Sequence, residues 1–173
     1  MAIAAGLPLY SALTRNPGAR AASGPYMAGG GMSNLRNDGN CFVCGPDSQT
    51  GLRLKPEGHD GRCSLTWIPE SRFCGWEGVL HGGIVTAVLD ETMAYAAMSL
   101  VGFCATVEIR VGFRRPVVPG VPIEVSASVT NRRGRMTETE AELTQEGVLK
   151  ASATARFITT QEAPSQDSGG GRS

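Results

Sequence analysis

At 173 residues the chain is the size of one domain. Its sixteen Lys and Arg balance sixteen Asp and Glu, so no global field gathers nucleic acid or an anionic membrane surface, and a bound anion must be held by a local basic cluster. The longest apolar stretches are broken by Gly, Thr, Asp or Arg short of the ~18 residues a membrane span needs, so neither nucleic acid nor membrane is an expected partner.

Residues 1–40 are rich in Ala, Gly, Ser and Asn, hold no acid before Asp38 and show no apolar period, so they read as a disordered leader. Arg15, Arg20 and Arg36 without acids fit an organelle-targeting peptide; an upstream start before a native Met32 fits as well. The second reading is preferred, and with it a cytoplasmic location. Cys41, Cys44, Cys63, Cys74 and Cys104 form an odd set with no disulfide-domain spacing and no secretory signal before them, which points to a reducing compartment. Cys41-Phe-Val-Cys44 has the spacing of half a zinc site, and Cys63 or His59 are the candidates to complete it. A lone pair lacks the four ligands of a closed zinc site, so a metal-free structural role is expected, with no metal essential for turnover and no cofactor.

Gly51-Leu-Arg-Leu-Lys and Arg62-Cys-Ser-Leu-Thr-Trp-Ile alternate apolar and polar residues around the turn-forming Gly58 to Gly61, which predicts a hairpin. From Gly82 to about Leu100 the chain is apolar nearly all round, with no Pro and no Gly after Gly83, which predicts one buried helix. Alternation returns at Thr106 to Arg114, Pro122 to Thr130, Met136 to Thr144 and Val148 to Ile158, with Leu149, Ala151, Ala153, Ala155 and Phe157 facing inward. The Gly-rich segment 161–173 is too polar to pack and reads as a disordered tail. A domain at 41–160 follows, with the order strand, strand, helix, four strands: an α+β fold in which one helix fills the concave face of an antiparallel sheet.

The segment Leu80-His-Gly-Gly-Ile-Val-Thr-Ala-Val-Leu-Asp-Glu91 resembles the His-Gly-Gly…Asp signature of hotdog thioesterases related to the phenylacetate-pathway (PaaI-like) enzymes. Cys41-Phe-Val-Cys-Gly-Pro-Asp47, Gly51-Leu-Arg-Leu54, Phe113-Arg-Arg-Pro116 and Arg132-Arg-Gly-Arg135 sit where relatives carry similar stretches, so the resemblance covers about Asn40 to Thr160. It implies a hotdog fold, hydrolysis of an acyl-coenzyme A and a homodimer or homotetramer. Asp90 would be the catalytic carboxylate, with Thr106 placed where some relatives carry a Thr or Ser that orients water or carboxylate. Arg114 and Arg115 fall where relatives contact the coenzyme, and Arg133 and Arg135, with Arg132, flank a Gly134 turn that could join them on its phosphates. Some relatives carry an Asn or Gln six residues before the His; here that position is Gly75.

The helix also has a physical reading of its own. Its first turn leaves free N–H groups and partial positive charge, suited to a carbonyl oxygen that becomes negative during acyl transfer. Gly82 and Gly83 either let a substrate approach that backbone or merely permit tight packing. An ionisable Asp90 inside an apolar helix costs several kcal/mol, roughly, unless paired, hydrated or used. Glu91 is the rival, turned about 100° round the helix, and His81 is expected to fix the loop rather than transfer protons. Gly82 and Asp90 are eight residues apart, about 12 Å along a helix, so two chains must supply one site. Asp90 as general base and Asp90 as nucleophile are both open. A hotdog dehydratase would need a strand-side His, and the only histidines are His59 and His81. A non-catalytic acyl-CoA sensor on the same fold is the main alternative, and a zinc-stabilised interaction module would leave the His-Gly-Gly helix without a use.

Overall fold

A computed structural model describes residues 39–160. The leader expected at 1–40 lies, but for its last two residues, outside the described residues, as does the tail at 161–173.

The first hairpin forms where its turn chemistry allows. Asp60 and Gly61 both take positive φ, 47° and 75°, the conformation an Asp-Gly pair favours in a two-residue hairpin turn. They join β1 (Glu57–His59) to β2 (Arg62–Trp67). Along β2 the alternating sequence becomes alternating burial, with Cys63 and Leu65 inside and Ser64 and Thr66 outside. The strand expected at Gly51 to Lys55 is absent, and this corrects the sequence reading. Arg53 sits at φ 53°, which breaks the extended backbone. Leu52 and Leu54 are buried nonetheless, bonded to Phe42 O and Val43 O at 2.8 and 2.9 Å rather than to the sheet.

A 3₁₀ turn (Ser71–Phe73) and a short hairpin of β3 (Cys74–Trp76) and β4 (Val79–Leu80), neither of them expected, lead into helix α1 (Gly82–Val101). They fix its entry through bonds from Leu80 N–H to Val117 O at 2.9 Å and from His81 N–H to Phe73 O at 3.0 Å. Val88, Leu89, Met93, Ala96 and Ala97 are wholly buried. By length and composition α1 would also cross a membrane; here eight of its residues are buried in the core.

After α1 come β5 (Cys104–Phe113), β6 (Ile123–Arg133), β7 (Met136–Gln145) and β8 (Val148–Thr159). All pair antiparallel in the sheet order β1-β2-β6-β7-β8-β5. The β6–β7–β8 meander forms the middle, and β5 is left as an edge ten residues long. Ala151, Ala153 and Ala155 of β8 are buried on the inner face, and their small side chains let α1 approach the sheet closely. This is the α+β hotdog architecture that the sequence resemblance implies.

The loop from β5 to β6 is held from inside. Gln145, 1% exposed, accepts from Val118 N–H at 3.0 Å and donates to Val118 O and Val121 O at 2.9 and 3.0 Å. Gln145→Leu would leave those backbone groups unpaired and is expected to lower stability by about 1–3 kcal/mol. A denaturation midpoint equal to that of the unaltered chain, at equal slope, would show that the clamp contributes nothing.

Candidate active site

His81 is the N-cap of α1. Its backbone is extended (φ −61°, ψ 133°), and its Nδ1 accepts from the Gly83 N–H at 2.9 Å. The two glycines therefore do different work. Gly83 keeps space for the cap, since a Cβ there would lie 3.0 Å from Nδ1. Gly82 keeps its own N–H without a partner among the described residues. A Cβ on Gly82 would lie 3.5 Å from the Phe113 ring, so that half-exposed ring forms a wall beside the free donor.

Two turns on, Asp90 is half-buried and accepts from Thr106 Oγ1 at 3.0 Å. A bulge brings Thr106 there. β5 pairs with β8 so that Thr106 faces Phe157 and Glu108 faces Arg156, which leaves Val107 as the extra residue. Because Phe157 is wholly buried and Arg156 exposed, Thr106 lies on the inner, helix-facing side of the sheet. Strict alternation would have put it outside with Glu108 and Arg110. Burial pushes the Asp90 carboxyl above the usual carboxylate range, and the Thr106 hydrogen bond partly opposes the shift. Such a group is a better proton acceptor than an exposed Asp, and its one bonded oxygen fixes its orientation.

Glu91 turns away from this pair. Burial raises its pKa too, and the Cys44 thiol beside it partly opposes the shift. Its carboxylate and the Cys41 and Cys44 sulfurs lie within 4.8 Å of one another. Neither residue considered from sequence as a completing ligand joins them: His59 is exposed beside Asp60 at 3.2 Å, and Cys63 is buried in the core.

Residues 77–152 match the family model described as the thioesterase superfamily. The chain is similar to an acyl-coenzyme A thioesterase of Xenopus laevis, THEM4: 28% identity over 86 residues, covering 49% of this chain and 39% of that protein. It is also similar to an uncharacterized protein of Schizosaccharomyces pombe, with 28% identity over 108 residues, 57% of this chain and 61% of that one. The chain thus spans less than two thirds of the length of either. Among solved structures it is similar to a mutant of the phenylacetic acid degradation protein PaaI from Thermus thermophilus. That match has 25% identity and a TM-score of 0.58, and covers 62% of this chain and 93% of the other.

The departure at Gly75 has a steric cause. A Cβ there would sit 2.8 Å from His81 Cδ2, so an Asn or Gln would push the histidine off its cap. Thr106 is the polar group that reaches Asp90 instead.

The arginines divide between two places. Arg114 and Arg115 are exposed at the end of β5, their N–H groups bonded to Lys150 O at 2.7 and 3.1 Å, next to the Phe113 that flanks Gly82. Arg133 is exposed at the β6–β7 turn. Arg135 ties that turn to β8, donating from Nε and Nη2 to Thr159 O at 3.2 and 2.8 Å. Phe113 pairs with Ala151 and Met136 with Ile158, so seven residues of β8, about 23 Å, separate the two clusters. One chain does not bring them together, and Arg135 is committed to a carbonyl. Sequence reasoning missed Phe113 and the Cys44–Glu91 contact; the i, i+4 spacing of Glu91 and Tyr95, which also meets Cys44, was the available signal for the second.

Proposed function

We propose that this chain hydrolyses an acyl-coenzyme A thioester to the free acid and coenzyme A, in two equivalent sites shared across a homodimer. The observation that carries the reading is the half-buried Asp90 held by Thr106 at 3.0 Å on the same helix that offers the free Gly82 N–H at its start. The Gly82 N–H and the positive helix end would receive the thioester oxygen as charge develops on it. Asp90 would take a proton from water as it adds to the carbonyl carbon, or attack that carbon itself and form an anhydride that water cleaves. In either course the carbon–sulfur bond breaks and the coenzyme A thiolate leaves, to be protonated.

Twofold symmetry joins what one chain separates. With two α1 helices antiparallel, Gly82 of one copy faces Asp90 of the other. The same rotation carries Arg114 and Arg115, which accompany Gly82, toward Arg133 of the other copy, which lies at the Asp90 end. One assembly thus completes the catalytic pair and the basic set together. The open β5 edge and its exposed Val107 and Phe113, 54% and 57% accessible, give such a dimer a surface to cover. THEM4, named an acyl-coenzyme A thioesterase, supports the substrate class. Five unpaired cysteines agree with a reducing, cytoplasmic setting.

The test is thiol release from short, long and aryl acyl-coenzyme A esters, with mass measured by light scattering on the active sample. Release by a dimer or larger assembly is expected. Tight binding without release would replace hydrolysis by a sensor role, and an active monomer would end the shared-site geometry.

A further inference from the structure

We propose that Cys41, Cys44 and Glu91 form a site for a thiophilic divalent cation such as zinc, which clamps the loop at 41–45 to helix α1. The metal-free expectation for Cys41-Phe-Val-Cys44 rests on a lone pair lacking the four ligands of a closed zinc site, and the fold adds a third protein ligand from a residue distant in sequence. The three ligand atoms lie within 4.8 Å of one another. Around one tetrahedral zinc, sulfur and oxygen ligands stand about 3.5–3.8 Å apart, so the group closes on an ion by movements of about 1 Å.

The loop holds the two sulfurs together beside Glu91. Gly45 N–H bonds to Cys41 O at 2.9 Å and Asp47 N–H to Gly39 O at 3.0 Å, winding the chain into a tight turn. Only glycine closes it, because a Cβ at Gly45 would lie 2.4 Å from both Cys41 N and Gly39 O. Val43 N–H donates to Cys41 Sγ at 3.4 Å, a contact that stabilises negative charge on a sulfur ligand. Leu52 and Leu54, buried and bonded to Phe42 O and Val43 O, brace the loop from behind. From α1, Glu91 brings its carboxylate to the two sulfurs. Two thiolates favour zinc over magnesium or calcium, and a water completes four-coordination. The thiol protons leave to solvent as the ion enters. Glu91 follows Asp90 directly, so the clamp fixes the helix turn that carries the carboxylate without taking part in acyl transfer.

The full chain, stripped with a chelator and kept reduced, is titrated with cobalt(II) and then zinc(II). One equivalent of cobalt per chain should produce thiolate-to-metal charge-transfer absorption, zinc should displace it, and the melting temperature should rise with free metal. Cys41→Ser together with Cys44→Ser should abolish the absorption. Loss of an outer-shell partner alone weakens metal sites about 10–100-fold, so Glu91→Gln should weaken binding by more than about tenfold. Should the double variant fail to fold, alkylation of the unaltered protein decides: bound zinc should protect Cys41 and Cys44 while other thiols react as before. Absence of the charge-transfer band, a band that survives loss of both cysteines, or alkylation of the pair at equal rates with and without zinc would each overturn the site.

Discussion

Asp90→Asn is expected to lower kcat for acyl-coenzyme A hydrolysis by about 10²–10⁴-fold, with binding and assembly retained. Asn keeps the shape and still offers an oxygen to Thr106 Oγ1, whose 3.0 Å bond orients the native carboxylate. What it removes is the proton acceptor and the nucleophile together, so both mechanistic routes predict the same collapse. Thr106→Val, nearly isosteric, takes away only the orienting hydroxyl and should cost about tenfold in kcat, since a mispositioned base still accepts protons. Equal turnover by the unaltered protein and Asp90→Asn would sink the mechanism. An unaltered protein that binds acyl-coenzyme A and hydrolyses none would leave the sensor reading in its place.

Gly82→Pro should reduce kcat by about 10²–10³-fold, the usual effect of losing one oxyanion donor. Proline is the informative substitution because Gly82 is the first residue of α1, where a missing N–H leaves the helical ladder intact. The extended His81 (ψ 133°) is already in the conformation that a residue before proline prefers. The shared-site geometry then makes a stronger demand. Neither Gly82→Pro nor Asp90→Asn chains should be active alone, yet subunits mixed and allowed to exchange should recover activity. Each mixed dimer carries one site with both defects and one with neither, so random exchange should restore roughly a quarter of the native activity. Exchange shown by mass measurement, with no recovery, would mean that each chain completes its own site and that the twofold arrangement is wrong.

The sequence by itself determined the elements whose signal is local. The apolar run from Gly82, free of Pro, could only be a buried helix, and it begins where the His81 cap and the glycines place it. The alternation in 122–130, 136–144 and 148–158 marked three strands and their inward faces, because period-two patterning records which side meets the core. Asp90 was legible for the same reason: a carboxylate in an apolar helix stands out against its neighbours. Pairing partners were not legible. Leu52 and Leu54 alternate like a strand and are buried like one, yet they pack on the loop at 41–45, since a pattern names an apolar face and not what covers it. Thr106 reaches Asp90 only because one extra residue, Val107, is absorbed in the pairing with β8, and that register depends on Phe157 and Arg156 far along the chain. The separation of the arginine clusters and the meeting of Glu91 with Cys41 and Cys44 have the same origin. Each depends on groups brought together across the fold, where distance is set by how the sheet wraps the helix and not by sequence spacing.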